Sequence, residues 1–213
     1  MALNPFILLP LYIYPENSLW DPLFTAASAH PNVDFQVIIN PWTGPGEGSC
    51  PDSSFTEVMQ QIQTYPNIQT LGYVHTANRW DCGEDGTDIC VTSAPMEELK
   101  ANVTTYQNWG TESCGGLAVD GIFFDESPST RDSDYVAYMR EASDFAKSTL
   151  TYGGNTVMFN AGTGVTEQYW APADYICVLE NSGATYRSLG EGDLDELTVD
   201  GEYADQATFI LYS

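Results

Sequence analysis

Two adjacent carboxylates follow a short apolar run in the middle of the chain. Residues 121–124 read Gly-Ile-Phe-Phe, Asp125 and Glu126 come next, and Pro128 stops the run. Such a run between turn residues predicts a buried strand. Carboxylates at its end are costly to place unless they are solvated, paired or used in chemistry. An Asp-Glu pair that merely faces water is the alternative interpretation.

Most of the other predicted strands also end in a side chain that can bind a hydroxyl group or move a proton. These side chains are Tyr12 and Tyr14, Asn40, His75, Asn160, and Glu180 with Asn181. In a barrel of parallel strands such ends meet at one mouth, where active sites lie. Glu180 closes a strand two places after the strand of Asp125. Two carboxyl groups across a mouth suit cleavage of a glycosidic bond.

Several aromatic residues fall near the same strand ends, and their faces suit the apolar faces of sugar rings. We expect Trp42 and Tyr73 to contact substrate, together with Tyr12, Asn40, His75 and Asn160. Each also has a structural interpretation. The aromatic side chains could be ordinary packing, and His75 could be a hydrogen-bonded structural residue. Asn40 and Asn160 could be turn residues beside Pro41 and Gly162.

Strands alternate with helical segments along the chain, which predicts repeated β-α units and a parallel sheet. The predicted strands are 8–14, 33–40, 70–76, 117–126, 156–160, 173–180 and 207–212, and the main helices are 53–65, 93–109 and 132–150. Residues 189–199 could be a loop or a broken helix. Seven units in about 210 residues predict a single-domain (β/α)8 TIM-type barrel with seven readable strands, which is either open or irregular or lacks its eighth unit through truncation.

A doubly wound open sheet has the same alternation of strands and helices, but it should carry a Gly-rich phosphate loop after its first strand. Residues 14–17 read Tyr-Pro-Glu-Asn there, which supports no nucleotide.

The charge of the chain restricts its partners. Six Lys and Arg stand against 30 Asp and Glu, giving a formal net charge of −24. This balance argues against nucleic acid and against an anionic membrane surface. It suits a cationic or neutral partner, or serves solubility alone. The two histidines and the absence of a Cys-x-x-Cys pair give no basis for a zinc site, and we expect no metal or cofactor.

Five cysteines and an Asn-Val-Thr sequon at Asn102 favour an oxidising, extracellular setting. Cys82 and Cys90 flank a polar loop and could form a disulfide. Cys177 lies in an apolar run and is expected to be a buried free thiol. The first 15 residues lack the basic start and cleavage site of a signal peptide. No apolar stretch reaches the length of a membrane span.

Six segments of the sequence together resemble the spherulin-4 family, glycoside hydrolase family 135. They are LPLYIYP (9–15), VIINPWTGPG (37–46), TLGYVHT (70–76), GIFFDES (121–127), FNAGT (159–163) and DYICVLE (174–180). The resemblance implies a secreted barrel hydrolase that cleaves α-1,4-linked N-acetylgalactosamine in galactosaminogalactan. It places the acidic site residues on Asp125, Glu126 and Glu180. The family's final strand has no counterpart here.

Within that interpretation we assign Glu180 as general acid/base and Asp125 as nucleophile or charge stabiliser, with Glu126 as the alternative to Asp125. A partly deacetylated polymer would carry amines, which a strongly negative protein attracts. Two other interpretations stay open. A substrate-assisted chitinase needs the motif DGxDxDxE, of which Phe123 and Ser127 break two positions. A non-catalytic carbohydrate-binding or structural protein could use the same barrel.

Overall fold

A computed structural model describes residues 5–77 and 94–213. Within these ranges the chain forms seven β-strands and six α-helices. The strands are β1 (Phe6–Leu11), β2 (Asp34–Ile39), β3 (Ile68–His75), β4 (Gly121–Asp125), β5 (Thr156–Asn160), β6 (Tyr175–Ser182) and β7 (Ala207–Tyr212). The helices are α1 (Asp21–Ala29), α2 (Ser53–Ile62), α3 (Met96–Trp109), α4 (Ser133–Thr149), α5 (Gly183–Ser188) and α6 (Glu191–Leu197). In the same ranges no helix is long and apolar enough to cross a bilayer.

The strands form one sheet in the order in which they occur along the chain, from β1 to β7. The pairs β1–β2, β2–β3, β5–β6 and β6–β7 are parallel. A parallel sheet in sequential order, with helices between its strands, is the arrangement of a (β/α) barrel. The predicted fold class, a TIM-type barrel with seven strands, is confirmed.

Some element boundaries differ from the predicted ones. β1 ends at Leu11, so Tyr12 follows the strand instead of lying within it. β4 begins only at Gly121. Residues 189–199, predicted as a loop or broken helix, contain the short helix α6, and α5 precedes it.

The chain divides into two compact units. The first comprises Met1–Val74, Ala101–Ile122 and Ser148–Thr156, and the second comprises His75–Lys100, Phe123–Lys147 and Val157–Ser213. The first unit contains the ring of Tyr106, which is fully buried against Gly72. The Tyr106 hydroxyl donates to the main-chain oxygen of Ile39 at 3.1 Å, and burial raises its pKa well above the usual value. Tyr106 thereby attaches α3 to β2 and β3.

Asp120, just before β4, joins that strand to β3 within the first unit. Its Oδ2 accepts from the main-chain nitrogen of Thr70 at 2.8 Å and from the Thr70 hydroxyl at 3.3 Å. The Asp120 nitrogen donates in return to the Thr70 oxygen at 2.7 Å. Burial raises the pKa of Asp120. This carboxylate therefore serves strand pairing at the start of β4.

The cysteine predictions have different outcomes. Cys177 is a buried free thiol, as predicted, and burial raises its pKa to about 12. The predicted Cys82–Cys90 bridge lies outside the described residues. A disulfide that the sequence did not predict joins Cys50 to Cys114 in the first unit. It closes a separation of 64 residues, and a disulfide of this kind favours an oxidising compartment.

In the second unit, α4 buries Met139, Ala142 and Ala146 and is attached at two further points. The hydroxyl of Ser143 donates to the main-chain oxygen of Pro172 at 2.7 Å. Lys147 pairs with Asp174 at 3.1 Å. The core next to the strands includes Phe124 and Phe159, whose rings meet edge to face.

We expect Gly121→Ala to destabilise the protein by about 2–4 kcal/mol, because a methyl group there has no room. A Cβ at Gly121 would overlap the main-chain oxygen of Thr156 and lie 2.8 Å from Leu71 Cδ2. Gly192 in α6 is the control, since a Cβ there meets nothing within 4 Å. Gly192→Ala should be neutral or stabilising by about 0.5–1 kcal/mol. Urea unfolding measures both, and equal effects would contradict the packing argument.

Candidate active site

Asp125 is the last residue of β4, and Thr76 binds its main-chain oxygen. The nitrogen and the hydroxyl of Thr76 donate to the Asp125 oxygen at 3.0 and 2.7 Å. Glu126 then takes a left-handed backbone conformation with φ of 55°, which is uncommon for a residue other than glycine. Neighbouring side chains of a strand point to opposite faces of the sheet. Because β4 has ended at Asp125, the carboxylates of Asp125 and Glu126 need not follow that rule.

Asn160, the last residue of β5, bridges two of the three predicted catalytic carboxylates. Its Nδ2 donates to Asp125 Oδ1 and to Glu180 Oε2, both at 2.7 Å. Its Oδ1 accepts from the nitrogen of Gly162 at 3.1 Å. Asn160 is only 4% exposed. Since the amide oxygen is occupied by an N–H donor, both hydrogens of the amide are directed to the carboxylates.

The shared amide sets the separation of the two acids. Each of the two carboxylate oxygens lies 2.7 Å from the same nitrogen, so they cannot be farther apart than twice that distance. That limit falls within the spacing of about 5–5.5 Å typical of retaining glycosidases and below the roughly 6.5–9.5 Å of inverting ones.

The sequence predicted that Glu180 ends its strand, and this is wrong. β6 runs on to Ser182. The register with β7 shifts between Cys177 and Leu179. At this irregularity Gly162 donates to the oxygen of Cys177 at 3.0 Å and accepts from the nitrogen of Glu180 at 3.2 Å. A Cβ on Gly162 would lie 3.5 Å from Glu180 Cβ. The turn after β5 therefore holds the main chain of Glu180 directly.

Glu126 and His75 form a second polar pair in this unit. His75 Nε2 lies 3.0 Å from Glu126 Oε2, and the side chains are 19% and 26% exposed. The second unit thus brings together five predicted site residues: His75, Asp125, Glu126, Asn160 and Glu180. Among the described residues, no group of three or more His, Cys, Asp or Glu side chains is arranged to hold a metal ion.

The other four predicted site residues belong to the first unit. Tyr12 is 48% exposed and its ring meets the buried ring of Tyr73 edge to face, with centroids 5.7 Å apart. Asn40 Oδ1 accepts from the nitrogen of Gly44 at 3.1 Å, so this side chain shapes the loop after β2. Trp42, on that loop, is 80% exposed.

The comparisons with known proteins identify the family. A family model described as "Spherulin4: Spherulation-specific family 4" matches residues 6–213. The chain belongs to the spherulin-4 family. A crystal structure of Sph3 from Aspergillus clavatus in complex with GalNAc is 31% identical, with a TM-score of 0.76 over 96% of this chain and 88% of that one.

More distant structures share the fold alone. Complexes of a β-glucuronidase from Ruminococcus gnavus with uronic deoxynojirimycin and with D-glucaro-1,5-lactone have TM-scores of 0.53 and 0.51. Both are 12% identical over 97% of this chain and 34% of that one. A comparison with curated proteins found no match.

Sequence reasoning placed Asn160 at this spherulin-4 site but missed its bridging position and the residues that support it. The nitrogen of Ser127 donates to the Asn160 main-chain oxygen at 2.8 Å, and the Ser127 hydroxyl donates to the oxygen of Phe124. The usable signal was Asn160-Ala161-Gly162, because Asn followed two residues later by Gly is typical of an Asx turn. No local pattern marks Thr76 or Ser127.

We expect Asn160→Asp to destabilise the protein by about 2–4 kcal/mol at neutral pH, because it buries a third carboxylate against two others and removes both donors. Urea unfolding at neutral and at acidic pH measures the effect. The loss should shrink on acidification, since protonation relieves the repulsion.

Asn32→Asp, at an exposed position of the turn before β2, is the matched control and should change the free energy of unfolding by less than about 0.5 kcal/mol. A similar small change at Asn160 would show that its amide donors do not hold the site.

Proposed function

We propose that this protein is a glycoside hydrolase that cleaves α-1,4-linked N-acetylgalactosamine or galactosamine in an exopolysaccharide of the galactosaminogalactan type. The observation that carries the proposal is the pair Asp125 and Glu180, held to one amide nitrogen at 2.7 Å each. Two carboxylates at such a spacing are the catalytic requirement of most glycosidases. Membership of the spherulin-4 family and the GalNAc bound to Sph3 support a hexosamine substrate.

The proposed reaction runs in two steps with retention of configuration. In the first, an Asp125 oxygen attacks the anomeric carbon while Glu180 gives its proton to the leaving glycosidic oxygen. In the second, Glu180 takes a proton from water, the water oxygen attacks the anomeric carbon, and the bond to Asp125 breaks. Asn160 acts as a positioning residue throughout, because its two N–H groups hold both carboxylates.

Glu126 is the alternative nucleophile, but its contacts favour a supporting role. Its Oε2 lies 3.0 Å from His75, and its backbone has already left the strand direction. We therefore assign to Glu126 and His75 the binding of a sugar hydroxyl beside the cleaved bond. Tyr12, Asn40, Trp42 and Tyr73 remain proposed substrate-binding residues.

A partly cationic polymer agrees with the formal charge of −24, since an acidic protein attracts amines over a distance set by salt. The Cys50–Cys114 disulfide supports a secreted enzyme.

The chitinase-type interpretation and the non-catalytic interpretation each have less support than the proposed one. A chitinase-type mechanism would need a carboxylate in place of Phe123, whose side chain is fully buried in the core. A non-catalytic sugar-binding protein would have no need of an acid pair at this separation, and measured release of reducing ends decides between binding and hydrolysis.

We expect Asp125→Asn and Glu180→Gln each to lower hydrolysis by about 10²-fold or more, because each removes a group that acts on the reacting atoms. Glu126→Gln should lower it less. The measurement is the rate of reducing-end release from purified polymer, with circular dichroism to confirm folding.

Asp144→Asn, on an exposed position of α4, is the matched control and should leave the rate unchanged. Near-normal turnover of Glu180→Gln would mean that the acid lies elsewhere.

We also expect the first product to keep the α configuration, since the bridged oxygens of Asp125 and Glu180 lie no farther apart than twice 2.7 Å, which is below the carboxyl spacing of inverting enzymes. Proton NMR of the anomeric region during the first minutes of hydrolysis distinguishes the α from the β product. Initial release of the β anomer would exclude the covalent role of Asp125 without excluding glycosidase activity.

A further inference from the structure

A cavity in the first unit combines an exposed tryptophan with two carboxylates. It has a volume of about 620 Å³ and is lined by Tyr14, Trp42, Glu47, Asp52 and neighbouring residues of the loop after β2. Among residues 5–77 and 94–213, none that lines the cavity is basic. The volume lies within the range of small-molecule sites, about 300–1,000 Å³.

The cavity wall formed by Tyr14 and Asp52 is held rigidly. The Tyr14 hydroxyl donates to Asp52 Oδ2 at 3.1 Å, and the Tyr14 ring meets Phe55 edge to face at 5.6 Å. Asp52 Oδ1 accepts from the nitrogen of Phe55 at 2.9 Å and caps the start of α2. The carboxylate therefore has a fixed position before any ligand arrives, and a ligand need not order it.

The loop that carries Trp42 is restrained as well. The Trp42 nitrogen donates to the oxygen of Gly44 at 3.2 Å, and the nitrogen of Gly44 donates to Asn40 Oδ1 at 3.1 Å. Pro41 and Pro45 restrict the backbone on either side, and Cys50 anchors the far end through its disulfide. A restrained loop thus keeps Trp42 80% exposed, more than any other large apolar side chain of the described residues.

We propose that this cavity binds a protonated amine carried on a sugar ring, that is, a hexosamine unit without its acetyl group. Trp42 attracts a cation over its face and covers the apolar face of the ring, while Glu47 and Asp52 supply negative charge. A neutral N-acetylated unit gains nothing from the two carboxylates. The site would thereby select deacetylated stretches of a polymer. The choice of a sugar as carrier of the amine rests on the proposed function.

Binding is measured by calorimetry with two probes of equal length, a tetramer of α-1,4-linked galactosamine and its fully N-acetylated form. Every protein carries Glu180→Gln, so that hydrolysis does not consume the probe. Trp42→Ala and Glu47→Gln should each weaken binding of the galactosamine tetramer by roughly fivefold or more. Glu47→Gln should change the affinity for the acetylated tetramer by less than twofold, whereas Trp42→Ala should weaken both probes, because an acetylated ring has the same apolar face. Added salt should weaken only the binding of the galactosamine tetramer.

Two controls separate the site from general charge and from folding. Glu57→Gln removes an exposed carboxylate of α2 outside the cavity and should leave both affinities unchanged. Trp42→Phe keeps an aromatic face and should recover most of the binding lost in Trp42→Ala.

Each contrary outcome overturns the proposal. Equal losses for both probes in Glu47→Gln would mean a neutral sugar site. Unchanged affinities in both variants would mean that the cavity binds neither probe. Absence of galactosamine binding by the Glu180→Gln protein would exclude the site. Because the assay measures binding alone, failure of hydrolysis with the unmodified Glu180 would not affect its result.

Discussion

Two carboxylates share one amide group in this protein, and the rest of the site is arranged around that contact. Like charges held close together repel, and each carboxylate needs hydrogen-bond donors for its negative oxygens. Asn160 meets both demands, because one side chain supplies two N–H donors, one to Asp125 and one to Glu180. A lysine in its place would neutralise charge, but it would fix neither distance nor direction as a planar amide does.

The orientation of that amide depends on the chain immediately around it. Gly162 donates to Asn160 Oδ1 and then binds the main chain of Glu180, while Ser127 donates to the Asn160 main-chain oxygen. The ends of β4 and β5 and the middle of β6 are thus connected within a few residues. Support of this kind around a pair of side chains is what fixes their relative position.

The sequence predicted the repeating architecture better than the site's internal contacts. Alternating apolar runs and amphipathic helices depend on local spacing, and that is why the existence of seven strands and of α4 was predicted correctly. The continuation of β6 past Glu180 was missed, because the register irregularity depends on the partner strand β7. The Cys50–Cys114 bridge was missed for a similar reason, since residues 64 positions apart leave no local pattern. Five of the predicted site residues lie in one unit, but which of them bridges two others is decided by three-dimensional distances alone.

Asp120, just before β4, and Asp125, its last residue, have carboxylates with different kinds of partner. Asp120 precedes the strand, is buried, and uses its carboxylate on the main chain and hydroxyl of Thr70. Its contacts serve the pairing of two strands, and its pKa is raised by burial. Asp125 ends the same strand, and its carboxylate meets a side chain that also holds a second acid. In a barrel of parallel strands the amino ends carry stability and the carboxyl ends carry function. The same residue type therefore has different surroundings within six residues of chain: one carboxylate binds a neighbouring strand, and the other shares an amide with a second acid.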